Sequence, residues 1–169
     1  MKALLIAAVS LSFAGMITPA QAAAVDPPQD QLEDCSQKCI SVGVINHSNS
    51  IMVMQKESLA QQYLTRPSQV IGKAGDDATS DFWTAPAVDG AGRESVYAFG
   101  SGGPLFVHFT TTVTGDTSTS ACYFTQPGSG KRVAPSNTTC RAVSGKNASN
   151  PDITIVYYSV NGSHPVVRG

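Results

Sequence analysis

Residues 105–113 (LFVHFTTTV) constrain this chain more than any other segment. They are β-branched or aromatic almost throughout, a composition that fits a pleated, half-buried surface. A period of two puts Leu105, Val107 and Phe109 on one face and Phe106, His108 and Thr110 on the other. Residues 153–160 (ITIVYYSV) are apolar on both faces, as a central strand covered on both sides would be. Shorter segments follow the same alternation. Residues 40–46 set Ile40, Val42 and Val44 on one face, and residues 51–54 form a short apolar run. The His47-Ser48-Asn49 turn chemistry between them predicts a hairpin. In residues 94–99, Val96 opposes Tyr97 and Phe99; residues 121–125 read as a further short strand. Turn composition separates these pieces at 100–104, 114–120, 126–138 and 144–151. Residues 72–92 have the Gly, Asp and Pro content of a loop, interrupted by Phe82 and Trp83.

Only residues 57–64 (ESLAQQYL) suggest a helix, with Leu59 and Tyr63 on one face and Arg66-Pro67 ending it. The expected fold is therefore all-β: a small disulfide-containing β-sandwich or barrel with at most one short helix. An α+β fold is the alternative, if residues 57–71 form a real helix across the sheet.

The first residues read as a secretory signal peptide. Lys2 supplies the positive start, residues 3–13 a short apolar core, and Ala20-Gln21-Ala22 the small-residue cleavage site. The expected organisation is a signal peptide over 1–22, an extended Pro-rich and acidic lead-in over 23–34, and a single β domain over 35–169. The apolar run falls short of the roughly 20 residues of a transmembrane helix. The expected location is thus secreted, periplasmic or extracellular.

Export bears on Cys35, Cys39, Cys122 and Cys140, an even number in an oxidising destination. Two disulfides are expected. Three connectivities are open, with 35–39 and 122–140 favoured because nothing demands longer links. Cys-x3-Cys facing Cys-x17-Cys does not match a structural zinc site, so no metal is expected.

With 11 Lys+Arg against 12 Asp+Glu, the net charge of −1 gives no electrostatic case for nucleic-acid binding. Other constellations are equally bland. Asp76, Asp77, Asp81 and Asp89 lack the register of a calcium loop. Gly100-Ser101-Gly102-Gly103 lacks the Lys-Ser/Thr and the helix of a phosphate loop. No Gly-x-Ser-x-Gly elbow occurs, and no cofactor is implied. Of His47, His108 and His164, His108 sits mid-strand and reads as a partly buried structural residue, with a general base as the alternative. Four of six Asn, namely Asn46, Asn137, Asn147 and Asn161, match the Asn-x-Ser/Thr pattern. That matters only in a eukaryotic source.

Aromatic residues give the candidate contact positions: Phe82 and Trp83 in the predicted loop, Tyr63 beside it, and Tyr158 from the Tyr157-Tyr158 pair. Neighbouring residues of a strand point to opposite faces, so one tyrosine of that pair should approach the surface. Trp83 either marks a contact site or fills one end of the core.

The stretch SVGVINHSNSIMVM, followed later by ESVYAFGSGG, resembles the opening strands of aegerolysin-type lipid-binding β-sandwiches. The resemblance covers a small part of the chain. It implies a β-sandwich that binds lipid, and no residue role is carried over, because the single Trp departs from that family's aromatic-rich pattern. Three functional readings follow. The first is a non-enzymatic protein-binding module, such as an inhibitor, immunity protein or effector, whose protein partner meets loops 72–92 and 126–138. The second is a lipid- or glycan-surface binder of aegerolysin-like type. The third is a secreted hydrolase using His108.

Overall fold

The computed structural model describes residues 38–57, 64–77, 79–99 and 105–162. The predicted signal peptide and lead-in, Cys35, Tyr63, His164 and the Gly100 to Gly103 turn lie outside the described residues, as does most of the predicted helix. Its first residue, Glu57, is instead the end of a strand. Ten strands are described: β1 (Cys39–Ser48), β2 (Met52–Glu57), β3 (Val70–Ile71), β4 (Ser80–Pro86), β5 (Gly92–Phe99), β6 (Leu105–Thr114), β7 (Thr117–Thr125), β8 (Arg132–Val133), β9 (Thr138–Lys146) and β10 (Ile153–Gly162). They form a four-stranded sheet in the order β4-β1-β10-β9 and a six-stranded sheet in the order β3-β2-β5-β6-β7-β8. No helix occurs among the described residues, and none is long and apolar enough to cross a membrane. The fold is an all-β sandwich, as the strand alternation predicts.

Alternation builds the interior. In β6, Leu105, Val107, Phe109 and Val113 are buried while Phe106, His108, Thr110 and Thr112 face outward and are half-buried. Across the gap, Val42, Val44, Trp83, Val156 and Tyr158 come from the four-stranded sheet. The Phe109 ring lies 5.8 Å from that of Tyr97 and 4.9 Å from that of Tyr158, so aromatic contacts span both layers. The Tyr158 hydroxyl donates to the Thr110 carbonyl at 2.7 Å and also contacts the Thr111 hydroxyl, which satisfies a polar group inside the core.

The structure departs from the sequence expectations in several places, one of them the short β8 inside the predicted loop 126–138. Residues 40–54 are not a hairpin: β1 pairs with β4 and β10, whereas β2 belongs to the other sheet. The fully buried Asn46 redirects the chain between them. Its amide donates to the Ser50 and Gly72 carbonyls, and its oxygen accepts from the Ser48 backbone N–H and hydroxyl. The supposed loop 72–92 contains β4, whose Asp81, Trp83 and Ala85 are buried and register with Val44, Val42 and Ile40. Strand β7 begins at Thr117, inside the predicted turn. Finally, β9 covers residues whose Thr, Ser, Gly and charged side chains give no strand pattern. It forms because β10 offers a full edge, paired from Thr154↔Lys146 to Gly162↔Thr138.

The Cys122–Cys140 disulfide ties β7 to β9 and hence one sheet to the other. Cys39 is also disulfide-bonded, while Cys35 lies outside the described residues.

Candidate functional site

The outward face of the six-stranded sheet carries two adjacent rows. In the first, register links Val70 to Val53, Val53 to Ala98, Ala98 to Phe106, Phe106 to Thr125 and Thr125 to Arg132. Its β3–β2 end is open, with Val70 51% and Val53 36% exposed. Ile51, just before β2, is 44% exposed. Outward positions of a sandwich are normally polar. Here an apolar stripe runs over β3, β2, β5 and β6 and ends in a hydroxyl and a guanidinium.

In the second row, Lys56, Val96, His108 and Tyr123 are neighbours across β2, β5, β6 and β7. His108 Nδ1 lies 3.0 Å from Glu94 Oε1, and its Nε2 lies 2.8 Å from Thr125 Oγ1. A carboxylate only accepts, so Nδ1–H donates to Glu94, and in the neutral ring Nε2 accepts the Thr125 hydroxyl. The hydrogen bond from His108 is the main reason Glu94 is held below the ordinary carboxylate range; partial burial opposes it and Lys56, at 3.4 Å, adds to it. The imidazole stacks on Tyr123, with centroids 4.7 Å apart and planes at 6°. The Arg132 guanidinium lies over the other side of this ladder, 3.8 Å from the Tyr123 centroid. The outcome is a fixed series on one sheet face: Glu94, His108, Tyr123, Arg132.

A hydroxyl, an imidazole and a carboxylate at these distances form the relay that activates a nucleophile. However, Thr125 is only 4% exposed, and both imidazole nitrogens are taken up by protein partners. The relay is satisfied within the sheet, and its evident effect is to hold Tyr123 and Arg132 in place. Binding chemistry on the exposed face is what the arrangement offers.

The predicted contact residues fall elsewhere. Trp83 and Tyr158 are 3% and 1% exposed and belong to the core, which corrects the expectation that they meet a partner. Pairing of β4 with β1 turns Trp83 inward, and strand parity sends Tyr158 inward and leaves Tyr157 half-buried outside. With Arg93, they line an interior space of about 10 Å³, room for roughly one water. Phe82 is half-buried on the outer face of the four-stranded sheet, where it and Tyr157 flank Gly43. A Cβ on Gly43 would lie 2.8 Å from each ring, so this close approach requires glycine. Asp81 is buried at the sheet edge and accepts from the Ser68 N–H and hydroxyl; burial raises its carboxyl above the ordinary range. Asp89 accepts from Gly115 N–H, and Asp76 from Lys73 N–H. Among the described residues no cluster of three or more His, Cys, Asp or Glu is arranged to hold a metal. Asn46, whose amide hydrogens are both donated, presents no free amide for modification.

Sequence reasoning found His108 but missed Val53, Val70, Tyr123 and Arg132. The parity of Val53 within residues 51–54 is readable, but its face is fixed only by which sheet β2 joins. Arg132 sits in a Gly-Ser-Gly-Lys-Arg turn with no strand signal at all.

The fold and the site together define a two-layer β-sandwich that carries its unusual chemistry on an open sheet face. No protein-family model matches the chain, and no curated protein does. Solved structures do match, 8 chains in all, and one of them is the lipid binding protein Nakanori. That match has a TM-score of 0.55 at 12% identity and covers 79% of this chain and 75% of the other. At such identity the likeness establishes a shared fold.

Proposed function

We propose that this protein binds lipid surfaces through the outward face of its six-stranded sheet. The carrying observation is the apolar stripe Val70–Val53–Ala98–Phe106, bordered by Tyr123 and Arg132. Contiguous exposed apolar residues rimmed by polar ones mark contact surfaces. Tyrosine has an apolar ring and a polar tip, which suits the water–headgroup boundary. The fold shared with a lipid-binding protein supports the reading. A net charge of −1 means that attachment relies on apolar contact more than on bulk attraction to anionic lipid. The same reading sets the protein outside the cytosol, where the signal-peptide pattern and the disulfides belong. A protein-binding module finds less support, because of its two expected anchors Trp83 is in the core and Phe82 is half-buried.

Co-sedimentation with phosphatidylcholine vesicles tests the proposal. The wild-type protein is expected in the pellet, and Val53→Asp combined with Val70→Asp is expected to remain in the supernatant while still folded by circular dichroism. Equal sedimentation of both proteins, or absence of wild-type binding to every vesicle tried, would refute it.

A further inference from the structure

Among the described residues, the stack on β6, β7 and β8 leaves the N–H edges of one guanidinium without a protein acceptor. The guanidinium carbon of Arg132 lies over the Tyr123 ring, 3.8 Å from its centroid, and Tyr123 is in turn stacked on His108. His108 is held from both sides by Glu94 and Thr125. Arg132 itself lies on a strand fixed by a tight turn, in which Gln126 N–H donates to the Lys131 carbonyl at 2.9 Å and Gly130 N–H to the Gln126 carbonyl at 3.1 Å. Among the described residues, no carboxylate pairs with Arg132 and no carbonyl accepts from its N–H edges. The nearby acid, Glu94, is engaged by His108 and Lys56. An arginine whose face is stacked keeps a planar fork of N–H donors pointing outward, and that fork matches two oxygens of a phosphate.

We propose that Arg132, held over the Tyr123 ring, receives the phosphate group of a lipid headgroup at the end of the apolar stripe. This rests on the lipid-surface reading above and adds the headgroup chemistry. Register supports it: Phe106, Thr125 and Arg132 are consecutive across β6, β7 and β8. Two strand spacings separate Phe106 from Arg132, about 10 Å. A sheet face resting flat on a bilayer therefore meets the headgroup boundary with its apolar stripe and its guanidinium side by side, about 10 Å apart along the surface. Lysine at this position would keep the charge and lose both the stack and the fork.

The test compares vesicles of phosphatidylcholine with vesicles of a galactosyl diacylglycerol, which has the same chains and no phosphate. The wild-type chain is expected to bind phosphatidylcholine about tenfold more tightly, the worth of one charge-assisted bidentate contact. Arg132→Gln and Arg132→Lys should both fall to the level the wild type shows on galactolipid, and Tyr123→Leu should fall partway. Equal binding of the wild type to both vesicles, or Arg132→Gln binding phosphatidylcholine like the wild type, overturns the phosphate assignment and leaves the lipid reading intact. Binding to neither vesicle overturns both. A parallel titration with inorganic phosphate separates the sources. Competition for vesicles only well above millimolar phosphate supports a headgroup site, whereas saturation by micromolar phosphate in the absence of vesicles assigns Arg132 to a free phosphate and overturns the headgroup proposal.

Discussion

Asn46 shows how much of this fold hangs on single buried polar side chains. Read from sequence, it opens a turn and matches a glycosylation pattern; in the structure it is fully buried and holds the crossing between the sheets through four hydrogen bonds. Asn46→Ala strands the Gly72 carbonyl and the Ser48 N–H, while the Ser50 carbonyl keeps the Ser48 hydroxyl; the expected loss is about 3 kcal/mol, read as a lowered urea midpoint at unchanged slope. An unchanged midpoint would mean that the crossing is held by other contacts. Tyr158 makes a second residue-scale case. Burial pushes its hydroxyl from the ordinary 10.0 up to about 12, with the Thr111 contact working against the shift. The folded value lies above the unfolded one, so the stabilising contribution is complete below pH 10 and is lost as pH rises toward 12. Stability should therefore fall across that window, and Tyr158→Phe should flatten the fall; an identical slope in both proteins would contradict the assignment. The carboxylates act with opposite signs. Glu94, held low, contributes stability that disappears as pH drops below the ordinary carboxylate range. Asp81, held high by burial, loses its contribution as pH rises above that range.

At the scale of elements, legibility followed periodicity. Strand β6 alternates cleanly: its parity separates Leu105, Val107 and Phe109 from Phe106, His108 and Thr110, and the structure buries the first set. Strand β10 reads as central and is, between β1 and β9. Strand β4 was obscured by flanking Gly and Asp. What makes it a strand is its long-range pairing with β1, which local composition does not encode. Strand β9 is likewise created by its partner. The disulfide is half legible: spacing favours the 122–140 pairing but does not encode that it bridges the two sheets. That bridge encloses a sequence separation of 18, so replacing both cysteines by Ala should cost about 3 kcal/mol. Urea denaturation of the double variant measures it, and an unchanged midpoint would show that core packing alone fixes β9 against β7.

For the molecule as a whole, the sandwich is legible in the sequence and the apolar outward face of the six-stranded sheet is not. A face is defined by which strands lie side by side, and the stripe from Val70 to Phe106 joins residues from four strands separated in sequence. Of the four expected contact residues, Trp83 and Tyr158 belong to the core, Phe82 is half-buried on an outer face and Tyr63 lies outside the described residues. The proposed binding mode sets the six-stranded face on lipid and keeps the four-stranded face off it. Val143, 51% exposed on β9 in the four-stranded sheet, supplies the control. The most direct measurement is the quenching of tryptophan fluorescence by phosphatidylcholine brominated on its acyl chains, with Val53→Trp compared against Val143→Trp; Trp83 is a constant buried background. The account predicts strong quenching of the tryptophan at position 53 and little at 143, and quenching at 143 but not at 53 would contradict it.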